Sequence, residues 1–349
     1  MTEQKYFTRM GDGLIVYMTE KEIRDDIADG IANAVKGGKV DPLTDSDIET
    51  LYNIITMPGN VVGVEHGKQV VSSSDDASNC KLKDSPLDRM TQMIVYERFL
   101  GADSVDMGLS DYNYKAAKAV VNEEVMLGKS ALNYMIMPVL YGGMPNLGFY
   151  TKPDGPVDNW AELLPQGKIK EAMQAQEDAV DYAVHDIVYV ASVMREAGID
   201  GINLDTAGAA GDADFLVALK AAEVISEKYP ELGIEMGMAG EFVLGMHGRL
   251  KYNGKRLAGM YPHEQVKVAE SAGVSIFGPV VNTNSSRSFA WNMAKTCTLI
   301  KACSEVANIP IHANAGMGVC GVPMCEVLPV DSVTRAGKAL IEICKIDGL

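Results

Sequence analysis

Polar residues stand at the points where several short apolar runs of the sequence end. Asp205 closes the run INLD, Glu241 closes EMGMAGE, Asn282 follows FGPVV, and His312 and Asn314 lie in IPIHANAG. Carboxylates, amides and an imidazole at one mouth would suit a cationic or protonatable substrate, or acid–base chemistry. We therefore predict Glu241 and Asp205 as catalytic carboxylates, with His312, Asn282 and Asn314 shaping the pocket.

Each of these residues also has a structural interpretation. Asp205 followed by Thr206 is typical of a helix N-cap. Glu241 lies in an apolar, glycine-rich stretch with no helix start directly behind it. His312 fits a hydrogen-bonded core histidine as well as a ligand, so the sequence leaves both interpretations open.

The cysteines give no metal site by their spacing. None of the six forms a Cys-x-x-Cys pair, and five of them follow residue 296. Cys320 and Cys325 with His312 match no structural zinc pattern. We predict buried free thiols in a reducing compartment and no metal site.

The candidate residues depend on short strands that alternate with helices. Apolar runs cover residues 103–110, 134–142, 200–208, 233–241, 274–283 and 309–317, with amphipathic segments between several of them. This alternation is typical of a parallel sheet covered by helices, as in a (β/α)8 barrel. In such a barrel the active site lies at the C-terminal ends of the strands. We predict an α/β fold, a TIM-type (β/α)8 barrel that is truncated after about six strands, with a seventh beginning at Ile346.

The first residues predict a different architecture, an N-terminal helical cap over residues 1–95 before an incomplete barrel over residues 96–349. Two helices are indicated by capping boxes that pair Thr19 with Glu22 and Ser46 with Glu49. Residues 70–88 are polar and irregular, and we predict a surface loop there.

Charge and composition exclude several classes of protein. The formal charge of −16 at pH 7 argues against nucleic-acid binding, which needs clustered Lys and Arg. The content of 47% hydrophobic and 22% charged residues is ordinary for a globular protein and argues against disorder. Because the chain shows neither a secretory signal nor a bilayer-spanning run, we predict a cytoplasmic protein without membrane segments.

Several longer strings together resemble one family. They are RMGDG (9–13), YGGMPNLGFYTKPDGP (141–156), NLDTAGAAGDAD (203–214), EMGMAGEFVLGMHG (235–248), FGPVVNTNSSRSFAWNMAK (277–295) and GMGVCGVPMCE (316–326). The sequence resembles, along its whole length, the dimethylamine:corrinoid methyltransferases of methylamine-using archaea and some anaerobic bacteria.

The resemblance implies an enzyme of methylamine-dependent methanogenesis or anaerobic methylotrophy. Such an enzyme moves a methyl group from dimethylamine to the Co(I) corrinoid of a dimethylamine-specific partner protein and releases monomethylamine. The corrinoid is carried by that partner, so no cofactor is expected to bind this chain directly. A homo-oligomer of the full-length protein is expected as well.

The resemblance also bears on the closing phrase KIDGL. Members of the family read an in-frame amber codon as pyrrolysine shortly after the matching phrase. The resemblance therefore implies a pyrrolysine after Leu349 and a polypeptide that is inactive without the part that follows.

Two other interpretations stay open. A genuine short product would be a non-catalytic binding or assembly subunit. A different barrel enzyme would act on an anionic substrate and hold phosphate with GAAGD (208–212) or NTNSS (282–286). The acidic charge and the lack of Lys or Arg at the strand ends argue against the second of these.

Overall fold

The protein has a mixed α/β fold that contains a parallel sheet. The computed structural model describes residues 4–65, 67–68, 70–74, 103–106, 140–143, 145–209, 211–246, 248–325 and 327–349. These residues include eight α-helices and a four-stranded parallel sheet, which confirms the predicted α/β class. None of the described helices combines the length and the apolar character needed to cross a bilayer.

A β-hairpin and two helices form the N-terminal part. Strands β1 (Lys5–Arg9) and β2 (Ile15–Thr19) pair antiparallel and lead into helices α1 (Glu20–Gly38) and α2 (Asp45–Thr56). Helix α1 starts at the predicted capping box, in which Glu22 bonds back to the end of β2.

The capping box of α2 differs from the predicted one. Thr44 and Asp47 exchange the two bonds, with Asp47 N–H donating to Thr44 Oγ1 at 3.2 Å and Thr44 N–H donating to Asp47 Oδ2 at 3.0 Å. The predicted pairing of Ser46 with Glu49 is wrong. Both pairs place a hydroxyl residue three positions before an acid, so the pattern alone does not choose between them.

A pair of parallel strands begins where the sequence predicts a loop. Strand β3 (Val71–Ser74) pairs in parallel with β4 (Asp103–Asp106). The loop predicted over residues 70–88 is therefore wrong at residues 71–74, because ladder hydrogen bonds come from the backbone and a serine-rich segment can make them. The series of parallel strands thus starts one strand earlier than predicted. Residues 75–88 lie outside the described residues. The same is true of residues 107–110 of the predicted strand 103–110 and of residues 134–139 of the predicted strand 134–142.

The main sheet follows the order of the chain. Its strands are β5 (Leu140–Gly143), β6 (Gly201–Ala207) and β7 (Gly233–Met238); after the small hairpin of β8 (Lys251–Tyr252) and β9 (Lys255–Arg256) comes β10 (Ile276–Gly278). All neighbours in the main sheet pair in parallel. Parallel strands adjacent in chain order are what successive βα units produce.

Parallel bridges extend this order toward the end of the chain. Phe277 of β10 bridges Ile311, and His312 bridges Gly348. Ala313 N–H donates to the Gly348 carbonyl at 3.0 Å, and Gly348 N–H donates to the Ile311 carbonyl at 3.1 Å. The KIDGL phrase therefore lies beside residues 311–313 as the next parallel segment.

Six further helices separate or flank these strands. They are α3 (Trp160–Leu163), α4 (Ile169–Glu196), α5 (Asp212–Lys228), α6 (Pro262–Ser271), α7 (Phe289–Val306) and α8 (Val330–Glu342). Helix α1 lies directly against α7, since a Cβ on Gly30 would stand only 2.4 Å from the Trp291 carbonyl oxygen. One hydrophobic core joins the N-terminal helices to the sheet. The division at residue 95 into a cap and a barrel stays a prediction.

Candidate active site

The main sheet has an apolar and a polar face. Side chains alternate along a strand, and one set is almost fully buried in the core: Ile202, Leu204, Ile234, Met236, Phe277 and Ile311. The opposite set, which we call the polar face, consists of one apolar residue, Ile276, together with Asn203, Asp205, Glu235, Gly237, Gly278 and His312. The parallel register of the strands places these seven residues on one face of the sheet.

Asp205 lies on the polar face at the end of β6. Its carboxylate accepts the N–H of Thr206 at 2.7 Å, and its Oδ1 lies 3.3 Å from the place that a Cβ on Gly237 would take. The glycine on β7 thus leaves the room that the carboxylate occupies. Thr206 has a φ of 51°, a left-handed conformation that is unusual for a β-branched residue. The backbone is therefore held in a strained conformation next to a predicted catalytic residue.

The interpretation of Asp205 as a helix cap is wrong. The next helix, α5, begins at Asp212. Its N-cap residue is Gly211, and no side-chain hydrogen bond caps the helix. The register between β6 and β7 shifts at the same point of the strand. The unusual backbone at Asp205 and Thr206 therefore belongs to the end of strand β6 and does not start a helix.

His312 and Glu235 form a close pair on the polar face. His312 Nδ1 and Glu235 Oε1 are 2.6 Å apart, and the two side chains are 14% and 8% exposed. Glu235 belongs to β7, whereas His312 lies on the far side of β10. The histidine is thus hydrogen-bonded to a buried carboxylate, and it shares the polar face with Asp205, from which β7 and β10 separate it.

Glu241 stands in a buried ion pair. Its Oε2 lies 2.6 Å from Lys295 Nζ of helix α7, and the two side chains are 9% and 11% exposed. Lys295 Nζ also lies 5.6 Å from the centre of the Trp291 ring. Burial, and secondly the charge of Glu241, raise the pKa of Tyr261. The Glu241–Lys295 pair therefore connects the loop after β7 to helix α7. Asp205 and His312, in contrast, lie on the polar face.

The two predicted pocket amides lie at the rim. Asn282 is exposed and its Nδ2 is 3.7 Å from the place of a Cβ on Gly240, the residue before Glu241. Asn314 is exposed as well, and it follows His312 by two residues. Both amides thus belong to the loops that follow the strands.

Two residues of this region escape sequence reasoning, namely Glu235 and Lys295. Glu235 stands between apolar neighbours in a run predicted as a buried strand, and Lys295 occupies a mostly apolar helix. A charged residue within a buried element usually has a partner. That signal marks both residues, but their partners are distant in the chain and cannot be read from spacing.

The described cysteines are free thiols, as predicted. Cys297, Cys303, Cys320 and Cys344 are buried, whereas Cys325 is partly exposed. Burial raises the pKa of the Cys320 thiol to about 12. Within the described ranges, no cluster of three or more His, Cys, Asp and Glu side chains is arranged to hold a metal ion. Cys80 lies outside those ranges.

The burial of these thiols predicts their reactivity. In the native protein, an alkylating reagent is expected to modify Cys325 at least about tenfold faster than Cys320, since the reagent needs access and thiolate. Timed alkylation followed by peptide mass spectrometry measures both rates. In urea the two rates should converge, and equal rates in the native protein would contradict the burial of Cys320.

Comparison with known proteins gives a family for this arrangement. A family model described as dimethylamine methyltransferase matches residues 4–349. The match includes every strand and helix named above, and therefore the polar face and the Glu241–Lys295 pair.

Proposed function

This chain belongs to the dimethylamine methyltransferase family, and we propose on that premise that it passes a methyl group from dimethylamine to the Co(I) corrinoid of a small partner protein. Monomethylamine is the other product. The observation that carries this proposal is the family match over residues 4–349. The acidic groups on the polar face support it, because they suit a small cation.

The chemistry explains why carboxylates belong near the substrate. When the C–N bond of protonated dimethylamine breaks, its electron pair stays on nitrogen, which leaves as neutral monomethylamine. The methyl group passes to Co(I), whose two electrons form the new bond. A neutral nitrogen would be too basic to leave, so the site must favour the cation. Carboxylates fixed in a partly buried site do this more strongly than water.

We assign the substrate contact to Asp205 ahead of Glu241. Asp205 is half-buried at the end of β6, whereas the Glu241 side chain is only 9% exposed, so Asp205 is the more accessible of the two to a bound cation. Glu241 already faces the ammonium group of Lys295 at 2.6 Å, which offsets its charge. Glu241 then acts by holding its loop, and His312, Asn282 and Asn314 shape the pocket and its rim.

We further propose that the sheet belongs to a closed (β/α)8 barrel. Support comes from helix α8, whose side chains hydrogen-bond to the backbone of residues 57–63, the segment before β3. Thr334 Oγ1 accepts Val62 N–H at 3.3 Å, and Lys338 Nζ donates to the Gly63 carbonyl at 2.9 Å. Arg335 donates to the carbonyls of Met57 and Gly59 at 2.6 and 2.8 Å. These contacts bring the helix before the last parallel segment next to the approach to β3, as closure requires.

The resemblance also supports a pyrrolysine in the cellular protein, which would supply an electrophilic imine that holds the amine. The intact mass of the protein purified from its own cells tests this. A mass above the 37.5 kDa of the 349 residues, with a tryptic peptide that runs through Leu349 into a modified lysine, is the expected result. A mass of 37.5 kDa would favour a non-catalytic binding or assembly subunit. Light scattering of the same sample tests the predicted homo-oligomer.

The proposed reaction is tested directly with the cellular protein and a Co(I) corrinoid protein. Mixing with dimethylamine should change the cobalt absorption spectrum and release monomethylamine in equal amount. Trimethylamine and monomethylamine serve as substrate controls and should react much more slowly. Transfer from all three amines at one rate, or from none, would contradict dimethylamine as the substrate.

A further inference from the structure

We propose that the groove between helices α4 and α5 is an interface between two copies of this chain, which pack around a two-fold axis with their α4 helices antiparallel. The proposal goes beyond the proposed function, and its test needs neither dimethylamine nor a corrinoid protein. Methyl transfer can therefore fail while this interface stands, and the reverse.

A groove of about 400 Å³ lies on the surface between α4 and α5. Helix α5 contributes Val224 and Lys228 to its lining. The residues that α4 contributes follow the spacing i, i+3, i+4, i+7, i+8 and i+11, which is one continuous stripe of a helix. They are Asp181, Val184, His185, Val188, Tyr189 and Ser192. We call this surface the α4–α5 groove.

The α4–α5 groove exposes apolar side chains to solvent. Tyr189 is 63% exposed and Val224 is 39% exposed. Val193, one turn of α4 after Tyr189, is 44% exposed. Contiguous exposed apolar surface marks interaction sites, and tyrosine is among the residues enriched at protein interfaces. The groove therefore has the composition of a contact surface.

The two ends of the groove carry opposite charges. Lys220 Nζ of α5 lies 3.0 Å from Asp181 Oδ1, so this part of α5 is beside the first end of the groove. Helices α4 and α5 run in the same direction, because they lead into the parallel strands β6 and β7. Lys228 follows Lys220 by about 12 Å along α5. It therefore lies at the other end of the groove, toward Ser192.

This distribution makes the groove complementary to itself. The spacing of the α4 stripe is the same from either end, so a two-fold axis through its midpoint superimposes the stripe on its own reverse. Asp181 of each copy then meets the end of the groove that carries Lys228 of the other copy. Tyr189 of each copy lies over Val184 of the other. The ion pair and the apolar contact are thus each made twice.

Charge favours a second copy as the occupant of the groove. Two molecules with a formal charge of −16 repel each other, so contact between them is favoured where groups of opposite sign meet. The Asp181 side chain is 83% exposed and can accept a second cation beside Lys220. Lys228 contacts the Tyr229 ring at 5.0 Å and has no ion pair with a carboxylate among the described residues. A second copy supplies that carboxylate.

The first test is the mass of the assembly, measured by light scattering of the cellular protein. A two-fold interface predicts an even number of chains. Tyr189→Glu should weaken the association by at least about 100-fold, because it buries two carboxylates in the apolar contact, and the mass should fall to half or less. Tyr17→Glu is the matched control, since Tyr17 on β2 is 61% exposed, and it should leave the mass unchanged. Circular dichroism checks that each variant is folded.

The second test reverses charges at the two ends of the groove. Asp181→Lys and Lys228→Glu each bring like charges together twice, and each should raise the Kd of association by about tenfold or more. The double variant Asp181→Lys, Lys228→Glu restores opposite charges across the axis. Its Kd should return to within about threefold of the original value. Sedimentation equilibrium measures these constants.

The outcomes decide whether a second copy occupies the groove. A monomer, an odd number of chains, or a mass that Tyr189→Glu leaves unchanged would overturn the proposal. A double variant that associates no better than the two single variants would overturn the antiparallel two-fold arrangement. An even assembly that Tyr189→Glu splits and that the double charge reversal restores is the expected result.

Discussion

Replacing Lys295 with methionine is expected to lower the free energy of unfolding by about 3–5 kcal/mol, because it strands a buried carboxylate. Glu241 is 9% exposed in its side chain and lies 2.6 Å from the ammonium group. Methionine fills a similar volume but offers Glu241 no donor. The change also removes a cation from the face of Trp291. Urea denaturation followed by circular dichroism measures the loss.

Two controls show whether the loss comes from the stranded charge. The double variant Lys295→Met, Glu241→Leu removes both charges and should recover most of the stability, since a buried pair is often replaced by apolar residues at little cost. Lys220→Met breaks the exposed pair with Asp181 and should cost less than about 1 kcal/mol. A Lys295→Met variant no less stable than Lys220→Met would contradict a buried structural pair.

Strands and helices were predicted from the sequence where the pattern of residue types reveals them. Strands β6 and β7 carry apolar residues on alternate positions, and α1 carries a capping box at its start. Strand β3 escaped because its sequence is VSSS, and backbone hydrogen bonds leave no trace in residue type. The register of the α2 cap escaped because two hydroxyl–acid pairs fit the same rule.

The candidate site was predictable only in part, since it depends on which strands are neighbours. Asp205 and His312 were expected to face one mouth, and the structure places both on the polar face. Glu241 was grouped with them by its place after β7, yet its side chain meets Lys295, 54 positions later in the chain. The side chain of Glu235 contacts His312, which is 77 positions away in the chain. Contacts over such separations follow from the folded sheet and not from local spacing.

The last expectation concerns the carboxylate that meets the substrate. Asp205→Asn should lower the rate of methyl transfer from dimethylamine by about 10²-fold to 10⁴-fold, because the amide keeps the shape but loses the charge that stabilises the cationic nitrogen. Stability should change by less than about 1 kcal/mol, since Asp205 is only half-buried. Single-turnover transfer to a Co(I) corrinoid protein measures the rate, normalised to folded protein.

Glu241→Gln is the matched variant, because it makes the same chemical change in the other predicted carboxylate. It should reduce stability more than Asp205→Asn and the rate per folded molecule less, since Lys295 already offsets the charge of Glu241. The reverse order would assign the substrate contact to Glu241. In that case Lys295 would have to release Glu241 when the amine binds, and the buried pair would be a resting state of the site and not a fixed support.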